Sequence, residues 1–253
     1  MTEREAAEFL GEKGYGIIPP SQYLIDMEEP FRKIWAAVSP FTMTSVERGY
    51  ALYKAVEYIV RSRIPGDFVE CGVWKGGSCM LMAMTLLQMG DAGRTIHLYD
   101  TYAGMTEPGG NDFIAWNGRS VAEKWNRDKA GLSDNFTDWA VSLENVRENI
   151  LTTGYPASNL VFIEGPVEQT LEQNIPEQIS LLRLDTDWYD STRIELELLY
   201  PLLTKGGALL IDDYGHFTGA RKAVDEYFGE SSSVLLNRID YTGRISIKTE
   251  IPE

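Results

Sequence analysis

The chain is poor in soft metal donors, in basic residues and in long apolar runs, and each shortage closes off a class of function. Cys71, Cys79, His97 and His216 are all the cysteines and histidines in 253 residues, which argues against a zinc site. The two cysteines flank the start of an expected helix and read as buried thiols in a reducing compartment. A net charge of -15 offers no basic face to displace phosphate counterions, so nucleic acid is excluded as a partner and an anionic membrane surface is disfavoured. The start, Met1-Thr2-Glu3-Arg4-Glu5, is charged and no long apolar run follows it. Neither a signal peptide nor a spanning helix is expected, and the cytoplasm is the expected compartment. The dinucleotide fingerprint G-x-G-x-x-G and the Gly-Lys-Ser/Thr phosphate loop are both missing, as are internal repeats and low-complexity tracts.

Present instead are apolar extended runs alternating with helical patterns, the signature of βαβ units and a parallel sheet. Strands are expected at 68–73, 95–100, 160–164, 179–185 and 207–212, with helices at 79–89, 142–152 and 191–203 between them. Crossovers of helical length dictate parallel order. Toward the C-terminus, 234–239 and 245–248 read as short strands joined by Asp240-Tyr241-Thr242-Gly243, a hairpin-like turn with Gly for positive φ. The expected whole is a doubly wound α/β sheet of seven strands, five parallel and closed by an antiparallel hairpin. Before it, residues 1–63 read as a helical cap, broken at Pro19-Pro20 and around Pro40, with 46–59 as its strongest helix. Residues 64–253 form the main domain.

Within that domain, 101–140 is long and polar and carries Trp116, Trp125 and Trp139. Such a stretch reads either as a functional lid, partly disordered, or as an ordered excursion whose tryptophans cover the core.

The first strand runs into Glu70-Cys71-Gly72-Val73-Trp74-Lys75-Gly76-Gly77-Ser78 and then a helix. Glycines there let backbone turn tightly and approach a ligand at the helix start. Glu70 would repel a pyrophosphate but welcome an amino group, which favours the aminoacyl end of S-adenosylmethionine, with Gly72, Trp74 and Ser78 lining the turn. Asp100, at the tip of the second strand, stands where an acid takes ribose hydroxyls in doubly wound folds. Either carboxylate could instead cap the following turn. Gly165, after Glu164, would border the adenine.

Two acidic stretches close neighbouring apolar runs: Asp185-Thr186-Asp187 and Asp212-Asp213. In an open parallel sheet the C-terminal ends of adjacent strands share one crevice. Like charges about 4 Å apart repel by about 4 kcal/mol at an intermediate effective dielectric, so the cluster must titrate, pair with basic groups or hold a cation. Oxygen-only ligands select a hard ion such as Mg²⁺, and Asp187, Asp212 and Asp213 form the expected metal face. A metal-bound hydroxyl is more acidic, and Asp187, alone or with His216, is the expected catalytic base. The bland readings are that Asp212-Asp213 cap the next helix, that Asp185 is a buried partner of Arg183 or Arg193, that His216 is a hydrogen-bonded loop residue and that Trp188-Tyr189 is wall.

Glu70-x-Gly72-Val-Trp-x-Gly76-Gly77, Asp100 followed by Gly104, Leu184-Asp-x-Asp187-x-Tyr189 and Gly206-Gly207 leading to Ile211-Asp-Asp-Tyr214 resemble the sugar O-methyltransferases of the macrocin and mycinamicin type, which include a novobiocin-pathway enzyme. The resemblance runs from about Thr42 to Tyr227. It implies a class I methyltransferase fold, S-adenosylmethionine as donor, and Mg²⁺ bridging vicinal sugar hydroxyls through Asp187, Asp212 and Asp213, with Asp187 as base. Thr42-Met43 matches a pair that closes over the cofactor, and Asp185 falls beside it. The N-terminal segment, the 101–140 stretch and Gly215-His216-Phe217 look different from the antibiotic enzymes, and these face the acceptor.

The leading expectation is therefore an S-adenosylmethionine- and Mg²⁺-dependent O-methyltransferase of a sugar or glycosylated natural product. A catechol-like or other small polyhydroxylated acceptor is the alternative, and a nicotinamide-dependent oxidoreductase and a Ca²⁺-binding module are competing classes. The helical N-terminus suggests a homodimer.

Overall fold

The computed structural model describes residues 3–16, 24–129, 139–229 and 234–249. Its strands are β1 (Asp67–Cys71), β2 (Ile96–Asp100), β3 (Leu160–Glu164), β4 (Ile179–Leu184), β5 (Leu203–Ile211), β6 (Asn237–Arg238) and β7 (Arg244–Ile247). They make one sheet in the order β3-β2-β1-β4-β5-β7-β6. β1 to β5 are parallel, and β7 runs antiparallel to both β5 and β6. The seven-stranded doubly wound expectation is met.

Strand alternation sends successive side chains to opposite faces, and here each face has its own core. Phe68, Leu98, Leu181 and Leu210 pack against α2 (Glu29–Val38), α3 (Val46–Arg61), α4 (Gly77–Met89) and α6 (Leu143–Leu151). Val69, Tyr99, Leu182 and Leu209 pack against α8 (Tyr189–Leu199) and α9 (Thr218–Phe228). All six residues of β4 are buried, as a central parallel strand requires. The remaining helices are α1 (Glu3–Glu12), α5 (Val121–Lys129) and the single turn α7 (Val167–Thr170).

Several boundaries differ from expectation for local reasons. The helix expected over 191–203 starts at Tyr189 and its α-helical part ends at Leu199, because Pro201 forces a 3₁₀ turn over Tyr200–Leu202 before β5 begins at Leu203. The strand expected over 234–239 shrinks to Asn237–Arg238. The turn after it depends on an acid rather than a left-handed glycine: Asp240 Oδ1 accepts from Thr242 N (2.9 Å) and Gly243 N (2.7 Å), and Gly243 does not adopt positive φ. It is small because a Cβ would meet the Arg48 side chain at 2.8 Å. The break at Pro40 appears as a 3₁₀ turn, Ser39–Phe41, whereas Pro19-Pro20 lies outside the described residues. No described helix is long and apolar enough to cross a membrane.

The described part of the 101–140 stretch is ordered and docked; 130–138 lie outside the described residues. Val121, Trp125, Trp188 and Phe217 form a third apolar cluster, with Met105, Ile114 and Trp139 against it. Phe113 and Ile114 bridge to Ser120 and Phe217. Trp125 and Trp139 therefore cover the core as one reading held, but Trp116 is 72% exposed.

Candidate active site

Register brings the acids together. Cys71 lies beside Leu184 and Leu184 beside Ile211, so the next residue of each strand falls on one edge. Gly72 N donates to Tyr99 O (2.8 Å), Asp185 N to Cys71 O (2.9 Å) and Asp212 N to Leu184 O (2.9 Å), extending the ladder by one row of site residues. A cavity of about 270 Å³ opens at this carboxyl edge. On its first-strand side it is lined by Thr42, Met43, Glu70, Gly72, Trp74, Ser78 and Asp100, with Gly165 beyond. Asp185, Asp187, Asp212, Asp213 and His216 line the other side.

The glycine turn is a close-approach device. Gly72 has φ +84°, and a Cβ there would overlap the Asp185 carbonyl. Gly77 is equally confined, since a Cβ would sit 2.6 Å from the Phe41 carbonyl and 2.7 Å from Thr42 Cβ, which presses the N-terminal helices onto the start of α4. Gly72→Ala is expected to cost about 2–4 kcal/mol, from left-handed backbone strain plus overpacking. Urea unfolding checks this, and a midpoint equal to wild type would contradict it.

Asp100 does cap the turn: Oδ2 accepts from Val73 N (2.6 Å) and Trp74 N (3.0 Å), and Oδ1 from Tyr102 N (2.8 Å). Those amides are thereby withdrawn from any phosphate, which weighs against the dinucleotide alternative. Glu70 is 1% exposed and takes Arg183 Nη1 on Oε1 (2.5 Å) and Cys79 Sγ on Oε2 (2.6 Å). Burial pushes its carboxyl up while Arg183 opposes the shift. Both cysteines are free and buried, with thiols pushed well up by desolvation.

Arg183 is the hub of the acid wall. Besides Glu70, it reaches Asp185 Oδ2 (2.7 Å) and Asp212 Oδ1 (2.7 Å). Asp185 is thus the partner of Arg183, while Arg193 pairs with Glu197 on the surface. Arg48 of α3 binds the other oxygen of Asp212 and also Asp240 Oδ2 (3.0 Å), tying the N-terminal helices to the β6–β7 turn. Among the described residues, one oxygen each of Asp185, Asp212 and Asp213 lie within 4.8 Å of one another, so Asp185 stands in this triad where Asp187 was expected. Asp187 adjoins Asp213 carboxyl to carboxyl, and both are pushed well up by burial and by neighbouring acids. Asp213 Oδ2 is buried with no hydrogen-bond partner among the described residues.

Asp187 has φ +69°, and Trp188 N donates across it to Thr186 O (2.8 Å). This is the geometry of the rare classic γ-turn, a conformation that costs about 1–3 kcal/mol in a non-glycine residue. His216 is half-buried, its Nδ1 3.0 Å from Tyr241 Oη, and burial followed by Arg48 pushes its pKa down.

Two residues escaped the sequence reading. Arg48 sits in a surface-type helical pattern with no local sign of a distant acid. Asp112, 1% exposed, accepts from Gly109 N (2.6 Å) and Tyr189 N (3.0 Å), so it caps α8 from the 101–140 excursion, and burial raises its pKa. A Cβ on Gly219 of α9 would overlap it.

Residues 32–245 match the TylF macrocin-O-methyltransferase family. The chain belongs to that family. This TylF-family chain is 34% identical over 210 residues to the 8-demethyl-8-(2,3-dimethoxy-alpha-L-rhamnosyl)-tetracenomycin-C 4'-O-methyltransferase of Streptomyces olivaceus, covering 83% of this chain and 76% of that one. It is 31% identical to the demethyldecarbamoylnovobiocin O-methyltransferase of Streptomyces niveus, covering 76% and 69%. Among solved structures, the O-methyltransferase NovP superposes with a TM-score of 0.70 at 30% identity, covering 83% of each chain. The TylF-family chain is an O-methyltransferase with the class I methyltransferase fold.

Proposed function

We propose that this O-methyltransferase transfers a methyl group from S-adenosylmethionine to a hydroxyl of a sugar, free or carried on a natural product, with Mg²⁺ bound at the acid wall. The observation that carries the metal is the charge imbalance at the carboxyl edge. Among the described residues, the lysines or arginines paired with Glu70, Asp185, Asp187, Asp212 and Asp213 are only Arg48 and Arg183, and Asp213 Oδ2 is buried without a hydrogen-bond partner. An all-oxygen donor set fits a hard divalent ion. Asp185 and Asp212 both pair with Arg183, and Asp212 pairs with Arg48 as well, whereas no lysine or arginine pairs with Asp187 or Asp213 among the described residues. Asp187 and Asp213 therefore carry the unmatched charge, and they are the proposed ligands together with Asp212, whose carboxylate adjoins that of Asp213. The relatives named above support the acceptor class, since one acts on a rhamnosyl group.

When bound, the donor supplies a sulfonium methyl for in-line displacement, and the metal lowers the pKa of a coordinated hydroxyl. The chain's own contribution is orientation and proton transfer. Gly72, Trp74, Ser78 and Gly165 form the cradle for the donor, Asp100 fixes its first turn, and Thr42 and Met43 close it from the N-terminal cap (1–63). Asp187 would take the hydroxyl proton as the new C–O bond forms and the methyl–sulfur bond of the sulfonium breaks. The described part of the 101–140 stretch would wall the acceptor side, since Gly104, Met105, Thr106 and Trp139 line the cavity.

A panel of glycosides with vicinal hydroxyls, assayed for methyl transfer, tests this directly. EDTA is expected to abolish turnover and added Mg²⁺ to restore it. Full activity in chelator would remove the metal from the mechanism, and turnover of simple catechols in preference to every glycoside would shift the acceptor class.

A further inference from the structure

Glu195 stands out as a buried acid that the reaction does not use. On α8 the core-facing positions are Ser191, Thr192, Glu195, Leu196 and Leu199, and the neighbouring Leu196 and Leu199 pack into the apolar core. Glu195 is 0% exposed. A glutamate at such a position is costly unless its oxygens are engaged. Oε1 accepts from Thr186 Oγ1 at 2.9 Å, while Oε2 has no hydrogen-bond partner among the described residues, and the Cys71 thiol adjoins the carboxyl group. Thr186 is the residue between Asp185 and Asp187. Its carbonyl is already taken by Trp188 N (2.8 Å) and by Ser191 Oγ (3.3 Å), and its hydroxyl is fastened by Glu195.

We propose that Glu195 is a positioning residue that anchors Thr186 from beneath and thereby keeps Asp185 and Asp187 aimed into the cavity. The strained φ of Asp187 is what makes such an anchor necessary. A left-handed aspartate relaxes into an ordinary conformation unless the residues around it are over-determined, and relaxation would swing both flanking carboxylates. Helix α8 itself is held independently, by the Asp112 cap and by Leu196 and Leu199, so loss of the Glu195 contact should loosen the turn without unfolding the helix. The inference rests on the Mg²⁺ reading above for its functional consequence, but its structural part does not.

The test compares Glu195→Leu, Thr186→Val and Glu195→Gln with wild type in the full chain. Three readouts are needed: thermal melting, Mg²⁺ titration by calorimetry with S-adenosylhomocysteine present, and hydrogen exchange of the 185–190 peptide. Glu195→Leu and Thr186→Val are expected to bind Mg²⁺ about 10–100-fold more weakly, the usual effect of removing a group that orients a ligand, and to exchange faster at 185–190. Affinity for S-adenosylhomocysteine should be unchanged. Glu195→Gln, which keeps an acceptor for Thr186, should restore both properties, as a role in bulk stability alone would not. Should Glu195→Leu fail to fold, Thr186→Val carries the comparison. Wild-type exchange at 185–190 in both disruptive variants, or failure of glutamine to restore it, overturns the proposal. Absence of Mg²⁺ binding by the wild type sinks the metal reading instead and leaves the exchange comparison to decide the anchor.

Discussion

Asp187→Asn is expected to lower kcat by a factor of about 10²–10⁴, the range for loss of a general base, with S-adenosylmethionine binding retained. Geometry and electrostatics agree on this residue. Asp187 lines the cavity and lacks the guanidinium that neutralises Asp185, so its carboxylate is open to the acceptor hydroxyl. An amide keeps the shape but cannot take a proton. His216 is the rival base, and it is a weaker one: burial and the nearby Arg48 push its pKa down, and its Nδ1 is engaged by Tyr241 Oη. His216→Gln should therefore cost far less. Steady-state kinetics with an acceptor from the glycoside panel, beside cofactor titration of each variant, separates chemistry from binding. Near wild-type turnover in Asp187→Asn, or a larger loss in His216→Gln, would transfer the proton to another group.

Arg183→Met is expected to destabilise the fold by about 3–5 kcal/mol, the cost of breaking a buried ion pair by removing one partner. At about 2–4 °C per kcal/mol for a chain of this size, melting should fall by roughly 6–20 °C. Arg183 is 3% exposed and holds Glu70, Asp185 and Asp212 at 2.5–2.7 Å. Without it, three acids are left with only Arg48, which reaches Asp212 alone among them. Arg183→Lys should recover part of the loss, because an ammonium restores the charge but lacks the planar fork that engages separate carboxylates. Scanning calorimetry at low and high salt measures the effect. A melting temperature equal to wild type in Arg183→Met would show that the acid wall is held by other means.

Both variants probe a feature only half visible in one dimension. The ends of β1, β4 and β5 were legible because each apolar run stops at a charged or glycine residue, and parallel connectivity sends those ends to one edge. Thirteen expected site residues accordingly meet in one cavity. The pairing within that edge was legible only in part. Asp185 could be read as a partner of Arg183 or Arg193, and the structure selects Arg183, while Asp187, the second acid of the D-T-D triplet, is carried round a γ-turn toward Asp213. Which of two carboxylates is left without a cation depends on a single backbone dihedral, which the triplet does not reveal. Gly243 is a similar case. It was read as a left-handed turn residue, but its smallness serves the Arg48 side chain, which comes from a helix almost 200 positions earlier in the chain.

By itself the sequence determined the seven strands and the parallel run of the first five, the glycine turn and the presence of an acid-rich carboxyl edge, because strand periodicity, helix length and turn chemistry are local. Only the tertiary structure decided how that edge is wired. Arg48 and Asp112 each act on a segment far from them in the chain, and the energy of a buried charge is set by what packs around it in space.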